Sequence, residues 1–341
     1  MHRALSRGLE WAFAAAVGVV SIAGGPAAAD DFYKGKTLTI VVGFTPGGGF
    51  DLNARLLARY IGKYIPGRPD VIVQNMPGAG SFTSVKHLEA VAPKDGTVIS
   101  TFNFGLIAES KIRPEKTPLD FSKFAWIGSI SQDQSVCFVW HTLGVKTIDD
   151  LKQKKNIHFG LTVVGANEDI QTRILKYIFG VDIHQVSGYP GSAEEKLAVE
   201  RGELDGGCGA WSSLPDNWVK DKLVASVFRS ASTVPPDMPK DIPYLMDLAK
   251  SDHDKAIIRL LVSSGDVGRP YIASMQVPAD RLALLRAAFD KSVADPQFAA
   301  DAAKQRLPVS PKNADEALKT VEAIYATPDD IVTAAKQISG G

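Results

Sequence analysis

Leu38-Thr39-Ile40-Val41-Val42-Gly43-Phe44-Thr45-Pro46-Gly47-Gly48-Gly49-Phe50-Asp51 carries a short β-branched strand through a glycine turn into a helix, and that junction decides the fold. Residues 38–42 have the length and composition of a strand buried on both faces. From Asp51 to Ile61 the apolar residues return at three- and four-residue spacing, the period of an amphipathic helix. Gly47, Gly48 and Gly49 stand between the two. Without Cβ atoms they let the backbone approach a ligand closely, and the unpaired N–H groups of a helix start, with their partial positive charge, face whatever lies there. A carboxylate or phosphate suits such a turn. The plainer reading is a tight connection with Asp51 as helix cap.

A phosphate loop closes with Gly-Lys-Ser/Thr, whereas Phe50 and Asp51 follow the glycines here. The dinucleotide fingerprint spreads its glycines over about six positions, which a contiguous triplet does not match. Both nucleotide-binding readings are disfavoured.

Outward from this junction the same rhythm continues. A second strand over 70–74, a loop over 75–81, a helix to about Val91 and a third strand over 97–102 make βαβ units with right-handed crossovers, hence a doubly wound lobe. A second series starts near Ser135, with strands at 136–140, 157–161, 182–186, 204–208 and 223–228. Helices lie between them at 167–179 and 192–201, and another is capped by Thr147 with Asp150 three residues on. Towards the C-terminus, Pro278-Ala279-Asp280, Asp295-Pro296 and Thr327-Pro328-Asp329-Asp330 read as helix starts. The expected class is α/β: two doubly wound parallel-sheet lobes with a cleft between them.

The N-terminal residues differ from the rest. His2, Arg3 and Arg7 precede an apolar run over 11–22, and Ala27-Ala28-Ala29 offers a small-residue cleavage site, so 1–29 reads as a secretory signal peptide with the mature chain beginning at Asp30. The apolar run is shorter than the roughly 20 residues of a spanning helix. A length of 341 residues favours two lobes, and 38 basic against 38 acidic residues gives nucleic acid or an anionic membrane no electrostatic footprint. Cys137 and Cys208 fit either a bridge permitted by an oxidising compartment or two small core residues.

A second strand-to-helix loop, Gly160 to Asn167, echoes the first from the other half of the chain, so two helix starts can grip an anion from both sides of a cleft. Asn167 also fits as an ordinary cap. Asp51, Glu168 and Asp169 place acid at the same helix starts, where capping is the commoner role. If they face the cleft they accept a hydrogen bond from an ammonium, a hydroxyl or a bridging water. Tyr189-Pro190-Gly191-Ser192 and Glu203-Leu204-Asp205-Gly206-Gly207 are further candidates for the cleft wall, with Trp211 and Trp218 read as packing.

Enzyme signatures are scarce. His87, His141, His158 and His184 have no zinc-ligand spacing, and no Gly-x-Ser-x-Gly is present. Thr83-Ser84-Val85-Lys86 reads as a helix with a solvent-facing lysine, and Glu194-Glu195 as a wet helix face.

Tyr33-Lys34-Gly35-Lys36, the stretch Val42 to Asp51, Gln74-Asn75-Met76-Pro77-Gly78-Ala79-Gly80-Ser81 and Pro93-Lys94-Asp95-Gly96-Thr97, in this order and spacing, resemble the substrate-binding proteins of tripartite tricarboxylate transporters, the Bug-type periplasmic receptors. Gly188-Tyr189-Pro190-Gly191-Ser192 and Arg201-Gly202-Glu203-Leu204-Asp205 extend the likeness over nearly all of the mature chain. The resemblance implies a type II periplasmic-binding-protein fold, with one lobe over 30–133 and 263–341 and the other over 134–262. It also implies a small carboxylate ligand and delivery to large and small integral-membrane permease subunits. The reading adopted here is a monomeric receptor without metal or cofactor. By position the ligand contacts fall on Thr45, Gly47, Gly48, Gly49, Phe50, Asp51, Ala79, Gly80, Ser81, Asn103, Phe104, Val164, Gly165, Asn167, Tyr189, Gly191 and Asp205. The loop after Gly160 departs from the family, with Val163-Val164 and Glu168-Asp169 in place of glycine and serine. Two rivals stand beside this reading: a ligand sensor on the same fold, and an exported α/β hydrolase using Asp51 or Glu168 as base.

Overall fold

A computed structural model describes residues 32–161, 166–189 and 191–340. The expected leader at 1–29 lies outside these residues, as do Val164 and Gly165. The chain lays down β1 (Thr37–Val42), α1 (Gly49–Tyr64), β2 (Asp70–Asn75), α2 (Phe82–Ala90), β3 (Val98–Thr101), α3 (Gly105–Ile112) and β4 (Ala125–Ser129). It continues through β5 (Ser135–Trp140), α4 (Ile148–Lys152), β6 (Ile157–Leu161), α5 (Asn167–Tyr177), β7 (Ile183–Ser187), α6 (Ser192–Glu200), β8 (Gly206–Ala210), α7 (Asp216–Lys220) and β9 (Val224–Arg229). The remainder forms α8 (Leu245–Leu248), α9 (Asp252–Val262), β10 (Pro270–Ala273), α10 (Ala279–Val293), α11 (Pro296–Lys304), β11 (Lys312–Asn313), α12 (Ala314–Tyr325) and α13 (Asp329–Ile338).

The strands form two sheets, a six-stranded one in the order β11-β4-β10-β3-β1-β2 and a five-stranded one in the order β7-β6-β8-β5-β9. β1 pairs in parallel with β2 and β3, and β6 with β7 and β8, as βαβ units require. Neither sheet is wholly parallel. β5 runs against β8 and β9, β10 against β3 and β4, and the short β11 against β4. The expected α/β class with two doubly wound lobes is found, with antiparallel strands added to the parallel pairs of each sheet, and the cause is topological: β5 and β10 are the first strands laid down after the chain passes from one sheet to the other. Each therefore starts at the end of the sheet where the parallel strands finish.

The two passages touch each other. Asp133 N–H donates to Gly265 O at 2.7 Å, Ile130 N–H to Arg269 O at 3.1 Å and Arg269 N–H to Ser131 O at 3.1 Å. A Cβ on Gly268 would lie 2.4 Å from Asp133 N, so only glycine permits this backbone contact. The result is a hydrogen-bonded ribbon connecting the two sheets.

Each sheet buries apolar residues on both faces. Leu38, Ile40, Leu56, Tyr60, Phe289 and Phe298 fill the space under α1 and α10. Val136, Phe138, Trp211 and Trp218 fill that under α6 and α7. The largest core is continuous between the sheets, running from Phe102 and Trp126 through Ile258 and Ile331 to Cys137 and Phe159. α9 and α13 lie in it, each packed against helices of both halves, α3 and α5. Trp126 and Trp218 are fully buried, and alanine at either costs on the order of 3–5 kcal/mol.

Cys137 and Cys208 face each other across β5 and β8 and are joined in a disulfide. The Thr147 cap forms as the sequence predicts: Thr147 Oγ1 accepts from Asp150 N–H at 3.1 Å, and the Asp150 carboxylate accepts from Thr147 N–H at 3.0 Å.

Candidate ligand cleft

The turn after β1 opens the site. α1 starts at Gly49 with Gly48 as its cap residue, two residues earlier than the apolar period indicates, so Asp51 is inside the helix rather than its cap. Its buried carboxylate accepts hydrogen bonds from Gly47 N–H at 2.9 Å, Arg55 Nε at 2.8 Å and Asn75 Nδ2 at 2.8 Å. Burial pushes its pKa upward, yet the bonds from Arg55, Gly47 and Asn75 outweigh that and hold it at about 2. Asn75 also donates to Phe44 O at 2.9 Å. Asp51 thus clamps the glycine turn to its own helix and to the end of β2, and it is poorly suited to act as a base. Gly47 has φ +89°, a conformation that favours glycine, and a Cβ at Gly47 or Gly48 would meet nothing within 4 Å. The exposed turn from Thr45 to Gly49 faces open space.

The turn after β2 is bent further. Gly78, Ala79, Gly80 and Ser81 have φ of 147°, 44°, 60° and 80° in succession. Ala79 and Ser81 lack glycine's freedom, and such positions cost of order 1–2 kcal/mol each, held by what surrounds them. Ser81 is buried; its Oγ donates to Gly43 O at 3.2 Å and accepts from Asn103 N–H at 3.2 Å, tying together the loops that follow β1, β2 and β3. Next to them a cavity of about 260 Å³ is lined by Gly80, Asn103, Phe104, Asn167, Ile170 and Ser264, residues contributed from both halves. A wider groove of about 660 Å³ between Trp211 and Arg306 contains none of the sequence-predicted residues.

On the facing side, Ala166 is the cap residue of α5 and Asn167 its first residue. Asn167 Nδ2 reaches the connecting ribbon, donating to Asp133 Oδ2 at 2.6 Å and Ser135 Oγ at 2.9 Å. Tyr189 is half-buried against the Trp218 cluster, and Gly191 is the cap residue of α6. Asp205 is not brought to these residues. It precedes β8 at the end away from the loops, where Oδ2 accepts from His158 N–H at 2.8 Å.

Glu195 corrects the reading of a wet helix face. Its side chain is 5% exposed and lies over the glycines of β6 and β8; a Cβ on Gly160 would sit 2.6 Å from its Cγ and one on Gly207 2.4 Å from its Oε1. Burial, with a smaller contribution from the Glu168 carboxylate, pushes its pKa up to about 7. Only the sheet behind it reveals this, since Glu194 and Glu195 look alike in sequence.

Arg269 was not among the residues singled out in the sequence. It immediately precedes β10, with its guanidinium 4.5 Å from the centre of the Phe50 ring, which is itself stacked on Phe44 at 4.5 Å. Nη1 donates to Gly268 O at 2.7 Å, Nη2 lies 3.4 Å from where a Cβ on Gly49 would stand, and Nε is buried without a partner. The surrounding sequence contains no motif that marks it. Among the described residues no group of three His, Cys, Asp or Glu side chains is placed to hold a metal ion.

No family model matches the chain. A UPF0065 protein of Agrobacterium vitis, from the TAR-I ttuE-ttuC' intergenic region, is 27% identical over 249 residues, covering 72% of this chain and 70% of that protein. Among solved structures, the periplasmic binding protein BugD superposes with a TM-score of 0.64 at 18% identity, over 90% of this chain and 98% of its own. A TctC solute-binding protein from Polaromonas gives 0.66 at 16% identity over 90% and 98%. MatC from Rhodopseudomonas palustris, with bound malate, gives 0.61 at 17% identity over 89% and 99%. The chain has the two-lobed α/β fold of these periplasmic binding proteins, and they are of the group its motifs resemble.

Proposed function

We propose that the protein is a periplasmic solute-binding receptor of the tripartite tricarboxylate type, which captures a small carboxylate between two lobes and performs no chemistry on it. The lobes are 30–133 with 263–341, and 134–262. The observation that carries this reading is the glycine turn: it is clamped from behind by Asp51, is open in front, and presents the unpaired N–H groups of the α1 start to the space between the loops. The malate bound by MatC supports a carboxylate as ligand. Lobe closure about the ribbon joining Asp133 and Gly265 is the mechanism, with the ligand favouring the closed form by its differential affinity. The closed form is then handed to the large and small permease subunits. Export by the leader at 1–29 belongs to the same reading, and among the described residues no helix is long and apolar enough to cross a membrane.

A thermal-shift screen of protein starting at Asp30, against mono-, di- and tricarboxylates, amino acids and aromatic acids, tests the proposal. A ligand at about 100 times its Kd adds about 2.7 kcal/mol of stability, a clear rise in Tm. No rise with any acid refutes a carboxylate receptor.

A further inference from the structure

We propose that Arg269 fixes the preference for an anionic ligand by pairing its guanidinium with a ligand carboxylate at the glycine turn. This rests on the receptor reading above and adds to it a charged side chain where the sequence offered only backbone N–H groups.

Three observations converge on it. The first is position: the guanidinium lies over the ring of Phe50, the second residue of α1, 4.5 Å from its centre, with Nη2 beside Gly49. Its donors therefore stand next to the N–H groups of the same helix start. The second is the missing counter-charge, since Arg269 forms no ion pair among the described residues and its Nε is buried without a hydrogen bond. Asp133 is the acid whose charge acts on it, yet the Asp133 Oδ2 already accepts from Asn167 and Ser135. Burial also draws the Arg269 pKa down, the mark of a cation held out of water. The third is restraint: the contact with the Phe50 ring and the Nη1 bond to Gly268 O at 2.7 Å hold the guanidinium in place, so a carboxylate meets donors already positioned. A desolvated arginine without an ion-pair partner is costly, and a ligand that supplies the counter-charge gains what the free protein lacks.

The test compares wild type with Arg269→Gln and Arg269→Lys, using malate, a longer dicarboxylate and the diamide of each as probes. Binding is followed by calorimetry, and the unliganded Tm is measured for each variant. Expected are a loss on the order of 10²-fold for the diacids in Arg269→Gln, a smaller loss in Arg269→Lys, and diamide binding that does not distinguish wild type from Arg269→Gln. The unliganded Tm of Arg269→Gln is expected to hold or rise, because an unpaired buried cation has been removed. Equal losses for diacid and diamide, together with a lowered Tm, make Arg269 a packing residue and overturn the inference, as does unchanged diacid affinity. Wild type that binds other acids of the screen, tested against Arg269→Gln in the same way, leaves the receptor reading standing and judges Arg269 separately. Wild type that binds no acid overturns both.

Discussion

The two walls of the cleft are built on opposite principles. In the first lobe, the turns after β1 and β2 are fixed in advance: Asp51 locks the glycine turn through Gly47, Arg55 and Asn75, and Ser81 ties it to its neighbours. At this wall the start of α1 stands at an exposed glycine turn, and the Arg269 guanidinium lies beside Gly49 and Phe50. The second wall keeps its acids occupied. Asp169, in the first turn of α5, is buried and accepts from Arg173 Nε at 2.7 Å and Gln185 Nε2 at 2.6 Å, Glu195 is buried over the glycines of β6 and β8, and Asn167 is bound to the connecting ribbon. The contrast teaches where the receptor proposed above is expected to hold an acid: at the exposed glycine turn of the first wall rather than against the occupied acids of the second.

The most severe way to break this asymmetry is Gly48→Asp. Gly48 has φ −81°, and a Cβ there meets nothing within 4 Å, so the fold is expected to survive while a negative charge occupies the anion's place. Like charges placed against each other cost several kcal/mol, so affinity for any acid should fall by at least about 100-fold with Tm unchanged. Retained affinity by calorimetry would put the site elsewhere.

Glu195 sharpens the other side of the comparison. Its pKa is raised from about 4.5 in the unfolded chain to about 7, so the folded protein holds the proton more tightly and loses stability as pH climbs between these values, with no further loss above. Glu195→Gln removes the titration. The variant is expected to match wild type near pH 5 and to exceed it by on the order of 3 kcal/mol at pH 8, read from urea unfolding at the two pH values. Curves that stay parallel at both would mean that the carboxyl is not desolvated.

Asp51→Ala tests whether the first wall owes its shape to the clamp. The native carboxylate, held at about 2 against the usual 3.8, supports the fold above the higher value, and that support is lost as pH falls through the lower one. The substitution should cost about 2 kcal/mol at pH 7 and weaken ligand binding about tenfold by loosening the turn. A stability loss without any change in affinity would show that the turn keeps its form unaided.

Much of this architecture is legible in the sequence because it is local. The strand expected over 157–161 is β6, and the Thr147 cap forms as predicted, since each depends on residues within one turn or strand of each other. β4 and β10 were not legible as strands. Ala125–Ser129 is buried throughout and shows no alternation, and Pro270–Ala273 is four residues long and begins with proline; the two find each other across the intervening second lobe. The site divides in the same way. The glycine triplet announces itself, but whether Asp51 meets a ligand or clamps the turn depends on Asn75, which arrives from the next strand. The same holds for Arg269, set beside Phe50 only by the return of the chain, and for Glu195, distinguished from Glu194 only by the two glycines beneath it. Long-range pairing leaves no period to read.

The bridge between Cys137 and Cys208 closes a loop of 71 residues within the second sheet. A molecule drawn out by its two ends would pass over that loop, and its fully stretched length would fall short of the reduced chain by about 240 Å. Single-molecule pulling would thus show as a missing length whether a given copy had matured in an oxidising compartment.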